Sequence, residues 1–151
     1  MMIGIDGERS AVATPPRNTD KLIKVVIAYL DGRRVRGHVL DFSPLKPSFR
    51  LFPEENPLQN RGDEVSLKDL KAVFFVREFS GDKSHQESNT IDAASRGRKF
   101  EVVFRDHESL IGTTEAFNPQ KLGFFLFPAD TKSNNMRVFV VNQNVAKIKA
   151  L

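Results

Sequence analysis

The sequence predicts an all-β chain folded as two tandem five-stranded small barrels, and three observations carry that expectation. Residues 41–53, DFSPLKPSFRLFP, return 75 positions later as AFNPQKLGFFLFP over 116–128. Short β-branched and aromatic runs, bounded by Gly, Pro, Asn and Asp, recur along both copies and read as strands. A glycine stands in the middle of the second such run of each copy, Gly37 and Gly112, where a strand must bend or let another backbone approach.

The repeat is the strongest of the three. Extended back to Val25/Phe100, the same offset aligns 29 pairs without a gap, of which 9 are identical. It keeps Asp31/Asp106, Gly37/Gly112, Phe42/Phe117, Pro44/Pro119, Lys46/Lys121 and the closing Phe49/Phe124 to Pro53/Pro128 block in register. A repeat of this length overrides the single-domain prior for 151 residues. It divides the chain into an N-terminal arm (1–20), a first barrel (21–80), a flexible linker (81–97) and a second barrel (98–151). Units of this size are marginal alone, so two in one chain are expected to share a core.

Taken in order, the arm mixes Gly, Ser, Thr and Pro15-Pro16 without periodicity. Residues 24–30, KVVIAYL, make the first strand, and Asp31-Gly32 turns it back as a hairpin with both turn residues at positive φ. His107 replaces Gly32 in the second copy and can still enter the left-handed region. Residues 34–42 form the second strand. Pro44 and Pro47 break the ladder, 48–52 is the third strand, and Pro53 stops it. After a polar span, 64–67 and 71–76 are the fourth and fifth strands around a tight turn at Lys68-Asp69. The second copy follows the same plan over 101–104, 110–117, 123–127, 137–141 and 145–149. The linker is rich in Ser, Asp, Gln and Asn, and 91–95 is expected to hold a helical turn.

Alternation places Phe49 and Leu51 on one side of a strand and Arg50 and Phe52 on the other. A small barrel has one interior, so the opposite-face rings Phe52, Phe75, Phe125, Phe127 and Phe139 need another home. Burial of each is worth roughly 1.5–3 kcal/mol, and a contiguous exposed set marks an interface. These five are the expected interface, between the barrels or between two chains.

Composition sets outer bounds. With no cysteine, disulfides, thiolate metal sites and a cysteine nucleophile are excluded. No apolar run approaches a membrane span, and the N-terminus has no secretory pattern, so a cytoplasmic protein is expected. The net charge of +4 is concentrated in the two repeat regions. His38, His85 and His107 have neither metal-ligand nor triad spacing, and all three read as surface histidines. No cofactor is expected, and no enzyme. The oxygen-rich stretch 130–135 lacks the spacing of a calcium loop and reads as a turn. Arg61-Gly62-Asp63 likewise reads as the turn before a strand.

The run ending at Asp31-Gly32, the four residues to Gly37, the Asp41-Phe42 pair, the 49–53 strand and the tail VSLKDLKAVFFV together resemble the Sm type of SH3-like barrel, including the Hfq proteins. The chain also resembles an uncharacterised family of bacterial proteins with one or two copies of this unit, marked by FSPLKPSFRLFP and LKDLKAVFFV. The Sm resemblance implies single-stranded RNA as one ligand class, held by phosphate contacts and base stacking. The basic cluster Arg33, Arg34 and Arg36 would supply the phosphate forks. Arg17-x-x-x-Lys21 followed by Asp41-Phe-Ser43 is similar to the PilZ pattern RxxxR…(D/N)xSxxG and implies cyclic di-GMP as a second class. Lys21 departs from its second arginine and Lys46 from its glycine. Against both stands the leading expectation, a non-enzymatic protein-interaction or assembly module with an unnamed protein partner or a second copy of itself.

Overall fold

Among the described residues ten strands form where the sequence marks them, each within three residues of expectation at either end. The computed structural model describes residues 22–40, 42–59, 61–80, 97–115, 117–130 and 132–151. The arm, the helical turn expected in 91–95 and nearly all of the linker lie outside those residues. The strands are β1 (Ile23–Tyr29), β2 (Arg34–Val39), β3 (Ser48–Leu51), β4 (Asp63–Ser66), β5 (Leu70–Val76), β6 (Arg98–Phe104), β7 (Ser109–Thr114), β8 (Gly123–Pro128), β9 (Asn135–Val141) and β10 (Val145–Ala150). Short 3-10 turns, Leu67–Asp69 and Asn142–Asn144, lead into β5 and β10. Among the described residues no helix is long and apolar enough to cross a membrane.

The local devices recur in both halves. Between β1 and β2, Tyr29 N–H donates to the Arg33 carbonyl and Gly32 N–H to that of Tyr29; between β6 and β7, Phe104 N–H donates to Glu108 and His107 N–H to Phe104. These are three-residue loops, and only their third residue has positive φ, Gly32 at 96° and His107 at 74°. The expected two-residue turn with two positive-φ residues is therefore replaced by a longer loop with one left-handed residue. The two strand glycines serve close backbone approach. A Cβ on Gly37 would lie 2.5 Å from the Phe52 carbonyl oxygen, and one on Gly112 2.3 Å from that of Phe127.

Every strand pairing is antiparallel. Eight strands form one sheet in the order β10-β6-β7-β8-β9-β5-β1-β2, and β3-β4 form a separate ribbon. Among the described residues a single bridge, His38 to Phe52, ties the ribbon to β2. The first five strands thus run β5-β1-β2-β3-β4, and the last five run β10-β6-β7-β8-β9. The chain is all-β and antiparallel, but no barrel closes by strand pairing among the described residues. The reason is on β5: the edge that it would offer to its own half is taken by β9, with Ala72, Val73, Phe74 and Phe75 facing Val140, Phe139, Val138 and Arg137.

That pairing gives β5 and β9 a core on each face. Val73, Phe75, Phe139 and Val141 pack with Val25, Ile27, Phe49 and Leu51 in one cluster. Their strand neighbours Ala72, Phe74, Val138 and Val140 pack with Val102, Phe104, Phe124 and Leu126 in the other. All seven residues of β5 are consequently buried. At roughly 1.5–3 kcal/mol per large buried apolar side chain, Phe75 and Phe139 in one core and Phe74 in the other hold the two halves together.

Candidate functional site: the seam between the two strand sets

The seam is built from an aromatic centre and two polar ends. Phe42, leaving β2, sits among four rings: Phe49 at 5.3 Å between centroids, Phe75 at 5.4 Å, Phe139 at 5.1 Å and Phe125 at 6.2 Å. Phe125 and Phe139 are themselves 5.2 Å apart. The contacts with Phe42 are edge-to-face, the geometry that ring quadrupoles favour. The Arg137 guanidinium closes the cluster, 4.3 Å from the Phe125 ring and 4.6 Å from Phe75. Burial there lowers its pKa from the usual arginine value, and the ring faces offset part of that desolvation.

At one end of the seam, the β6–β7 hairpin reaches back to β5. The buried Lys71 donates to Asp106 Oδ2 at 2.8 Å and to Glu108 Oε1. Glu108 also accepts from Arg34 of β2 at 3.3 Å. The Lys71 hydrogen bond is the main cause that holds the Asp106 carboxyl below its ordinary pKa. Nearby, the buried Asn144 amide donates to the Leu70 carbonyl at 2.6 Å and to that of Lys68 at 3.2 Å. At the other end, Arg77 N–H donates to the Asn134 carbonyl. Glu78 N–H donates to Asn134 Oδ1, and the Asn134 amide returns a bond to the Glu78 carbonyl.

Two clefts open on the surface beside the seam. One, of about 510 Å³, lies between Pro47 and Lys68 on the first half and Pro119, Leu122 and Gln143 on the second. The other, of about 420 Å³, lies among Pro44, Leu45, Phe117 and Phe124. Lys121 lines both. Leu45, Phe117 and Leu122 leave apolar surface exposed at these mouths.

Of the five rings expected at an interface, Phe75, Phe125 and Phe139 lie in the seam. Phe74, which alternation points to the other side of β5, is buried in the second core. Phe52 is half-buried beside Gly62 and belongs to neither cluster, and Phe127 is 48 % exposed. The arginines expected to bind phosphate are engaged within the chain. Arg33 pairs with Asp31 at 2.8 Å and stacks on Tyr29, Arg34 pairs with Glu108, and Arg36 lies 4.0 Å from Glu54. The backbone N–H of Arg33, and then its guanidinium, lower the Asp31 pKa. Ser43 Oγ accepts from Leu45 N–H, and Asn118 Oδ1 accepts from Gln120 N–H at the matching place, so Ser43 and Asn118 form the same turn in the two copies. Arg17, Lys21 and Asp41 lie outside the described residues.

His38 corrects its expectation as a surface histidine. It is buried, with Nδ1 3.2 Å from the Pro53 carbonyl and its ring edge-on to Phe79 at 5.3 Å. No group of three or more potential metal ligands occurs among the described residues. The stretch expected to be a turn near Asp130 is one: Asp130 accepts from the N–H groups of Lys132 and Ser133. Lys71 and its carboxylate partners were not singled out from the sequence. The offset aligns Lys71 with Ala146 and Glu108 with Arg33, so the difference between copies was the available signal.

An antiparallel all-β chain whose two strand sets interlock through one seam is the class that these observations define. The chain belongs to the family of unknown function DUF6982, whose model matches residues 21–151. No protein of curated function and no solved structure matches it.

Proposed function

We propose that this protein is a non-enzymatic assembly module built from two Sm-like five-stranded units, each of which binds its neighbour through a strand edge. The strand order supports the reading: β5-β1-β2-β3-β4 and β10-β6-β7-β8-β9 are the same plan written twice. The observation that carries it is the β5–β9 pairing, where the last strand of one unit completes the fourth strand of the other and each lends side chains to the opposite core. Strand addition of this kind draws affinity from main-chain hydrogen bonds and specificity from alternate side chains. A unit that joins a like unit in this way leaves the outer edges of β4 and β10 as its binding surfaces. A cytoplasmic location belongs to this proposal and rests on the absence of cysteine.

RNA and cyclic di-GMP are the weaker readings, because Arg33, Arg34 and Arg36 each have a carboxylate neighbour within the chain. The test is affinity capture from the native host with the wild-type chain against a variant whose open edge is reversed in charge, Lys147→Glu/Lys149→Glu. Enrichment of a protein, further copies of this chain included, by the wild type alone is the expected result. Equal recovery with both baits, or recovery of nucleic acid alone, overturns the reading.

A further inference from the structure

We infer that the outer edge of β10 binds the outer edge of β4 on a second copy of this chain, so that copies associate head to tail. The inference rests on the two-unit reading above and goes beyond it by naming the occupant and the register. Within the chain, β5 pairs with β9. The 75-residue offset carries β5 onto β10 and β9 onto β4, and among the described residues these are the two strands with an unpaired outer edge: β10 pairs there only with β6, and β4 only with β3. Moving the observed register by the same offset sets Lys149 opposite Asp63, Ile148 opposite Glu64 and Lys147 opposite Val65.

The side chains on those edges fit that register. Where β5 carries Ala72 and Phe74, β10 carries Lys147 and Lys149, both exposed. Where β9 carries the buried Val138 and Phe139, β4 carries the exposed Asp63 and Glu64. Edges guarded only against pairing can carry like charges, which repel each other across any strand contact. Here one edge is cationic and the other anionic, and the shifted register places a cation directly against an anion, a favourable cross-strand pair. Lys149 now reaches Glu101 of its own half at 3.5 Å, within range of sharing with Asp63. The buried Lys71 lock has no counterpart at this contact, since Ala146 stands in its place and Arg33 in that of Glu108. The association is therefore weaker than the seam and sensitive to salt. Because the two edges differ, the contact is heterologous and either closes into a ring or grows.

The absence of cysteine makes the test direct. Asp63→Cys and Lys149→Cys are prepared as separate full-length chains, mixed at low salt and treated with a short bismaleimide. The expected result is a cross-linked heterodimer that neither chain forms alone, with the 63–149 linkage confirmed by peptide mass spectrometry. Absence of that product above the yield of an out-of-register mixture, Arg50→Cys with Lys149→Cys, overturns the inference. In sedimentation, Lys149→Glu is expected to weaken self-association about three- to tenfold, and Asp63→Lys/Lys149→Glu to restore it. A wild-type chain that stays monomeric across the concentration range also overturns the inference. If host capture still enriches a different protein in an edge-dependent way, the self-pairing fails while the assembly reading stands; if neither occurs, both fail.

Discussion

Strands β5 and β10 occupy the same place in the two halves and have opposite fates. β5, LKAVFFV, is buried at every residue, whereas β10, VAKIKA, has none buried. Both follow a 3-10 turn, and both pair on one side with the first strand of their own half. The difference is β9, which covers the other edge of β5 and brings a second core with it. Composition has followed the environment: Phe74 and Phe75 stand where β10 has Lys149 and Ala150. A strand's burial here is decided by what pairs with it rather than by its position in the repeat.

The largest break in this comparison is expected at Phe75. Phe75→Ala removes a fully buried ring from the shared core and is expected to cost about 3–5 kcal/mol in chemical denaturation. Next comes the pair Phe42 and Phe117, aligned in the repeat but unequal in surroundings. Phe42 touches four rings, and Phe117 touches Phe100 and Phe124 and is 36 % exposed. Phe42→Ala is expected to lose about 2–4 kcal/mol and Phe117→Ala about 1 kcal/mol; equal losses would show that Phe42 does not hold the seam.

Lys71→Ala leaves Asp106 and Glu108 without their buried cation, and about 1–3 kcal/mol of stability is expected to go with it. The same variant sharpens a pH effect. The folded-state pKa of Asp106 is depressed, so its contribution is present above the unfolded carboxylate pKa and is lost as pH falls through the lower, folded value. Wild type is therefore expected to lose stability on acidification more steeply than Lys71→Ala, as read from denaturation midpoints at successive pH values. The smallest effect is on the open edge: Lys149→Ala in dilute protein is expected to stay within about 0.5 kcal/mol of wild type.

The strands could be read from the residues because each local signal agreed with the next: alternation, a turn former, a strand-breaking proline, then the same again after 75 positions. Gly37 and Gly112 were readable for the same reason, since a repeated glycine in a strand has few causes. The aromatic surplus was readable as a problem, and Phe75, Phe125 and Phe139 solve it at the seam. Its solution was not readable, because strand pairing between halves leaves no mark on spacing within one half. Phe127 shows the limit: its alternation matches that of Phe125, yet its place near the end of β8, past the pairing with β9, leaves it half exposed. The carboxylate neighbours of the arginine cluster were not readable, for an electrostatic reason. Each guanidinium has a carboxylate neighbour, two of them distant in sequence, and only the fold brings Glu108 to Arg34 and Glu54 to Arg36.

The buried Asn144 has a consequence of its own. Its amide holds the carbonyls of Leu70 and Lys68, residues 74 and 76 positions earlier, from the turn that launches β10. Severing the polypeptide between the halves would thus strip hydrogen-bond partners from one fragment while baring Phe74 and Phe75 on the other. Each half is therefore expected to be unstable without the other.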